Sequence, residues 1–235
     1  AGDGFRVPTT DELFALGVGS SNPDLKPVKS TTYEVGLRAR PLGWLETTLA
    51  FFLTDVQDEI VFDPTVPPFG RNVNAPESRR QGLELGAAIR PHEQVEILLS
   101  YTYVDARFLT DAVLSTGVVE KGDRVPQVPM HRLIGTVTYR PLPGLELSLD
   151  GAYESRKVLL NDEGNQNPFR VQDYFVLNAR TSYTWKNFTG FLKVNNLTNT
   201  DYETFGILSG GRVFLMPAPG INVFGGVTIR FENYY

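Results

Sequence analysis

The chain has 235 residues, no cysteine, two histidines, and 22 basic against 27 acidic residues for a formal net charge of −5; its mean hydropathy is −0.17. The missing thiols exclude disulfide scaffolds, thiolate metal sites and cysteine nucleophiles, and a mildly acidic balance with no Lys/Arg run argues against a nucleic-acid partner. No apolar run approaches the ~20 residues of a membrane helix, which excludes a helical membrane protein but not a barrel, whose strands need only about 10 residues of alternating character.

The opening Ala1-Gly2-Asp3-Gly4-Phe5 has no initiator Met, basic region or apolar leader, and reads as the start of a mature product or a fragment. A short turn of helix is expected at Asp11-Glu12-Leu13-Phe14. Period-two alternation then predicts nine strands, over about 29–40, 44–60, 78–90, 95–109, 128–140, 144–160, 173–185, 188–197 and 221–232. Their connections alternate in kind. Pro41-Leu42-Gly43, Pro91-His92-Glu93-Gln94, Pro141-Leu142-Pro143-Gly144 and Lys186-Asn187 are tight turns. Between them lie long polar connections at roughly 61–77, 110–127, 161–172 and 198–220. Tight turns at one end of a sheet and long loops at the other are the organisation of an outer-membrane barrel, with short periplasmic turns and long external loops.

Side chains two apart share a face of a strand. From Leu145, one face carries Leu145, Leu147, Leu149, Gly151 and Tyr153, and the other carries Glu146, Ser148, Asp150, Ala152 and Glu154. In the central spans the apolar face carries no charge. The polar face carries ten, Glu34, Arg38, Glu46, Glu84, Glu96, Glu146, Asp150, Arg180, Lys193 and Arg230, which are expected to face a lumen. Alternation alone leaves open a soluble β-sandwich or barrel that binds a small molecule or glycan, its apolar face buried. Three features favour a bilayer. Tyr139, Tyr183, Trp185 and Phe188 mark one end of the apolar face, and Tyr33, Tyr101, Tyr103 and Tyr153 the other, as two aromatic girdles would. Gly135, Gly151, Gly190 and Gly225 on that face would leave gaps in a close-packed interior. The chain also ends on aromatics, Phe231, Tyr234 and Tyr235.

About eight strands enclose a lumen just filled by side chains, and ten charges in such an interior would cost several kcal/mol per unpaired ion. The nine strands therefore read as an arc of a larger antiparallel transmembrane β-barrel, its other strands expected N-terminal to Ala1.

Several stretches resemble the TonB-dependent outer-membrane receptors. They are Gly4-Phe5-Arg6-Val7-Pro8-Thr9-Thr10-Asp11-Glu12-Leu13-Phe14, Asn22-Pro23-Asp24-Leu25-Lys26-Pro27 and Tyr33-Glu34-Val35-Gly36-Leu37-Arg38, followed by Arg80-Gln81-Gly82-Leu83-Glu84-Leu85. Val128-Pro129-Met130-His131, Val194-Asn195-Asn196-Leu197-Thr198-Asn199 with Tyr202-Glu203, and Pro217-Ala218-Pro219-Gly220 to Phe231 continue the series in the family's order. The resemblance implies a 22-stranded barrel occluded by an N-terminal plug, importing a scarce ligand such as a ferric siderophore with energy relayed through TonB. Residues 1–235 would then be the C-terminal portion of that barrel, with outer-membrane lipid and the missing strands as neighbours, the plug and TonB box lying outside the sequence. The family often ends at an aromatic directly after its last strand. Here Glu232-Asn233-Tyr234-Tyr235 follow, which leaves open which aromatic is the terminal assembly signal.

No residue set suits covalent chemistry, and neither an enzyme nor a bound cofactor is expected. Asp150 and Glu154 lie about 13 Å apart along a strand, beyond usual glycosidase spacing. His131 lacks a spaced ligand partner, and Asn161-Asp162-Glu163-Gly164-Asn165-Gln166-Asn167 misses the calcium-loop pattern and reads as a hydrated external loop. Ser209-Gly210-Gly211-Arg212 lacks the strand-to-helix setting of an anion cradle. Arg80, Arg132 and Arg156 fall on the polar face near the long loops and are candidate contacts for an anionic chelate, with pairing to neighbouring acids or bracing of the plug as the plainer reading. A passive porin-like channel is the other membrane reading.

Overall fold

The computed structural model describes residues 1–14, 20–63, 70–114 and 117–231. In chain order the elements are β1 (Gly2–Arg6), α1 (Thr10–Leu13), β2 (Val28–Leu42), β3 (Leu45–Gln57), β4 (Ile60–Asp63), β5 (Arg71–Asn74), β6 (Ser78–His92), β7 (Val95–Phe108) and β8 (Ala112–Leu114). They continue with β9 (Gly117–Val119), β10 (His131–Leu142), β11 (Leu145–Glu154), β12 (Tyr174–Trp185), β13 (Phe188–Asn195), β14 (Glu203–Ser209), β15 (Arg212–Pro217) and β16 (Asn222–Ile229). The helix is a single turn closed by a capping box, Thr9 accepting from the Glu12 N–H and Glu12 from the Thr9 N–H.

One antiparallel sheet of ten strands runs in the order β1-β2-β3-β6-β7-β10-β11-β12-β13-β16, and its end strands β1 and β16 are not paired to each other. All nine expected strands are present. A tenth, β1, was not expected: Gly2-Asp3-Gly4-Phe5-Arg6 is too short and glycine-rich to show alternation, and it is strand because β2 supplies its partners, Gly2↔Thr32 to Arg6↔Val28. The expected 144–160 strand leaves the sheet after Glu154, and 128–140 joins it only at His131. Three of the long connections carry hairpins of their own, β4–β5, β8–β9 and β14–β15. The last turns on Gly210 and Gly211 at φ 56° and 73°, both left-handed as a two-residue hairpin turn requires. The closing Tyr234 and Tyr235 lie outside the described residues.

Proline sets the tight turns. In β2–β3, β6–β7 and β10–β11 the register shifts at one place, after Ala39, Ile89 and Tyr139, just ahead of Pro41, Pro91 and Pro141. A residue with no N–H cannot extend a ladder, so pairing slips there before the chain reverses.

The buried side chains do not lie beneath the apolar face. Phe108, Ala106, Val119, Val125 and Ala75 form one cluster at the loop end. Register puts Phe108 and Ala106 on the polar face, beside Ser78 and Arg80, so Ala75, Val119 and Val125 of the described parts of the two connections pack inward over that face. The apolar face stays bare: Val35 is 68% exposed, Leu37 66% and Val227 72%. A soluble sandwich needs a second sheet over those side chains, and the two-stranded hairpins at the loop end do not provide one. Apolar surface on this scale, rimmed by aromatics, matches hydrocarbon.

Candidate functional site

Cross-strand pairing fixes the polar face row by row. Gly36, Ala50, Glu84, Thr102, Arg132, Glu154 and Tyr174 stand side by side on successive strands. Nearer the tight turns run Glu46, Ala88, Leu98, Thr136, Asp150 and Asn178, and then Glu96, Thr138, Ser148, Arg180, Lys193 and Phe224. The ten charges singled out from the sequence share this face.

At the turn end they meet cations carried by the turns. Arg140 bridges Glu96 at 3.9 Å and Glu146 at 3.0 Å, Arg90 holds Glu96 at 2.7 Å, and Glu46 accepts from both Arg38 and Arg40. The arginines of these pairs are exposed and their carboxylates only partly covered, so solvent screening leaves each pair a small contribution on its own. Asp150 accepts a hydrogen bond from Thr136 at 2.9 Å, and the Arg180 guanidinium lies over the Phe191 ring at 5.8 Å.

The three candidate arginines are not brought together. Arg80 is engaged, its guanidinium donating to Glu59 at 2.8 Å and to the Ser78 hydroxyl at 2.9 Å. Arg132 is exposed on the polar face beside Glu154, whose carboxylate is taken at 2.6 Å by Lys157. One strand further, Tyr174 packs against Tyr202 at 4.5 Å between ring centroids. Arg156 lines a cavity of ≈ 630 Å³ with Arg107, Arg124, His131, Tyr153 and Arg170. His131, Tyr153 and Arg107 reach it from apolar-face rows, whereas Lys157, which also lines it, bonds Glu154 of the polar face, so the cavity sits at the rim of the wall between the two faces. In the sequence Tyr202 stands only in a family landmark, and Tyr174 in no motif. A ring contact across a 28-residue separation has no signature in alternation.

His131 is an aromatic-edge residue, its Nδ1 2.9 Å from the Tyr101 hydroxyl and its ring 5.3 Å from Tyr103. Among the described residues no group of three or more His, Cys, Asp or Glu could hold a metal ion. The expected hydrated loop is instead largely packed: Asn161, Asp162 and Glu163 are buried. Asn161 and Asn165 adopt φ of 64° and 52°, the left-handed conformation Asn tolerates. The Asn165 amide donates to the Arg124, Asp162 and Glu163 carbonyls and so draws the acidic stretch inward.

Burial pushes the Asp162 carboxyl above its ordinary value, against the opposing Asn167 N–H and Arg170. A raised folded-state value means the folded loop holds a proton that the unfolded loop releases, so its stability falls as pH rises through that value. The protection factors of the 165–167 and 169 amides, with the intrinsic pH dependence of exchange divided out, are therefore expected to be higher below that value than at neutral pH. Asp162→Asn is expected to abolish the difference.

An antiparallel meander with an exposed, aromatic-edged apolar face, a charged opposite face and loops folded over the charged side is a wall segment of an outer-membrane β-barrel. The family model described as "TonB dependent receptor-like, beta-barrel" matches residues 1–197, and the chain belongs to that family, whose place is the bacterial outer membrane. It is 30% identical over 196 residues to the ferrichrome outer membrane transporter/phage receptor of Escherichia coli K12, covering 79% of this chain and 24% of that protein. It is 25% identical over 221 residues to the metal-pseudopaline receptor CntO of Pseudomonas aeruginosa, covering 92% and 29%. The closed-form crystal structure of the ferric-catecholate import receptor Fiu from E. coli K12 superposes with a TM-score of 0.72 at 22% identity, covering 97% of this chain and 32% of that one. The chain thus spans about a quarter to a third of the length of these relatives, and the arc is one part of a wider wall.

Proposed function

We propose that residues 1–235 are the C-terminal part of the barrel of a receptor that binds a ferric siderophore or similar metal chelate outside the cell and imports it to the periplasm. The relatives are named for ferrichrome and metal-pseudopaline, which supports a chelate as the ligand class. Energy would come from TonB through a plug filling the lumen against the ten shared-face charges.

The observation that carries the ligand side is Arg132. It is an exposed guanidinium at the loop end of the polar face, it forms no ion pair among the described residues, and Tyr174 and Tyr202 pack together, tilted by 36°, two strands away. A planar cation recognises carboxylate, catecholate or hydroxamate oxygens, and the tyrosine rings supply flat apolar contact with a hydroxyl at the edge. Arg80 braces Glu59 and would contribute less.

In the intact receptor, Arg132→Ala is expected to weaken chelate binding by about tenfold or more, the worth of one charge-assisted hydrogen bond, and Arg80→Ala by less. Titration of purified receptor with a panel of ferric chelates measures this. Uptake of radiolabelled iron in cells with and without TonB measures the energy source. Unchanged affinity in Arg132→Ala and Tyr174→Ala would remove the recognition role, and TonB-independent uptake would favour a passive channel.

A further inference from the structure

The outward face changes chemistry abruptly at its loop end. Leu85, Tyr101, Leu133 and Tyr153 form one row, and Leu83, Tyr103 and His131 the next. Gln81 and Asp105 follow, and then Asp55, Arg79, Arg107 and Arg124. From Tyr103 to Arg107 is four residues, about 13 Å along the strand, so the charged row stands where lipid headgroups begin if the tyrosines mark the interface.

Two of its cations are neutralised, Arg79 by Asp55 of the same row at 2.6 Å and Arg107 by Asp105 of the row before at 2.8 Å. Arg124 is different. It forms no ion pair among the described residues, and its main chain is gripped by the Asn165 side chain, which accepts its N–H at 3.1 Å and donates to its carbonyl at 2.9 Å. Its guanidinium lies 3.9 Å from the Met130 sulfur. Arg156, exposed and also outside any ion pair among the described residues, lines the same cavity. On the same face, starting from the Tyr101 row and running toward the tight turns, is an apolar groove of ≈ 500 Å³ bordered by Leu85, Ala87, Leu99, Tyr101 and Leu133.

We propose that this is a binding site for a phosphate-bearing acyl lipid of the outer leaflet, its phosphate at Arg124 and Arg156 and an acyl chain along the groove. Asp123 also lines the cavity, but its carboxylate accepts the Glu120 N–H at 2.8 Å and forms no ion pair with either arginine; guanidinium groups without a carboxylate partner bind phosphate oxygens in pairs. A soluble anion would have no use for the groove, and an uncharged lipid none for the arginines. Arg124, paired with Arg107, stands in a row of the face opposite to Arg132, so its role is separable from chelate recognition.

The test uses the full-length receptor, stripped of lipid in detergent and analysed by native mass spectrometry with synthetic lipid A carrying two phosphates, one or none, and with inorganic phosphate. The two-phosphate lipid is expected to bind at least about tenfold more tightly than the phosphate-free lipid. Arg124→Glu is expected to remove most of that preference and Arg124→Lys to keep part of it, while chelate uptake in Arg124→Glu cells stays at the wild-type rate. Equal binding of the phosphate-free lipid overturns the proposal, and so does equal preference in a folded Arg124→Glu receptor. Displacement of the lipid by millimolar inorganic phosphate would assign the pocket to a free anion instead. The lipid series needs only wild-type protein, so a variant that fails to assemble leaves the test intact.

Discussion

Leu99→Arg is expected to prevent stable assembly in the outer membrane, whereas Leu98→Arg, one residue earlier, is expected to be tolerated. The two leucines are 42% and 43% exposed, so burial within the chain does not separate them. Register does. Leu99 pairs with Ala87 and Gly135 on the apolar face, midway between Tyr139 at the turn end and Tyr103 at the loop end, and Leu98 pairs with Ala88 and Thr136 on the charged face. An arginine at the hydrocarbon midplane of a barrel costs about 2–4 kcal/mol, enough to shift a folding equilibrium by a factor of about 30 or more. On the charged face it meets water or polar neighbours and costs under about 1 kcal/mol. The folded fraction of outer-membrane extracts on unheated gels, with urea titration of refolded barrel, reads both. Equal tolerance would mean that Leu99 does not meet lipid.

The same pair shows what was legible in the sequence. Parity is a local property: once Leu145, Leu147 and Leu149 are seen to alternate with Glu146, Ser148 and Asp150, each strand's two faces follow, and all nine alternating strands are in the sheet. Pro41, Pro91 and Pro141 likewise mark their own turns, because the missing N–H acts at the residue itself. What stayed hidden depends on partners distant in sequence. β1 exists because β2 offers it a ladder, and the acidic stretch at 161–167 is buried because Asn165 reaches the Arg124 main chain, 41 residues away. Asp55, Arg79, Asp105 and Arg107 lie beyond the central spans, and their apolar-face parity places them outward past the aromatics. Of the candidate site, the arginines were visible as residue types near strand ends. Which one is engaged and which is free was set by Glu59, in a connection whose path alternation does not determine.

Gly82→Ala is expected to be the most damaging of the small substitutions in the sheet. Gly82 lies in the Arg80-Gln81-Gly82-Leu83-Glu84-Leu85 stretch, on the polar face opposite Phe52 and Val104. A Cβ built there would overlap the Tyr103 carbonyl oxygen and stand 3.0 Å from the Phe52 Cζ. The ring could rotate away. The carbonyl belongs to the β6–β7 ladder and could retreat only by breaking pairing between two of the longest strands, so the cost should reach or exceed the upper end of the ~1–3 kcal/mol typical of overpacking. Two other glycines calibrate it. At Gly86 the nearest atom is the Thr48 hydroxyl, the end of a side chain that can turn aside, and at Gly190 nothing lies within 4 Å. Urea midpoints of the refolded barrel should therefore fall in the order Gly190→Ala nearly unchanged, Gly86→Ala slightly lowered and Gly82→Ala strongly lowered. A Gly82→Ala barrel as stable as the Gly190→Ala one would mean that β6 and β7 pair less closely at this point than the register requires.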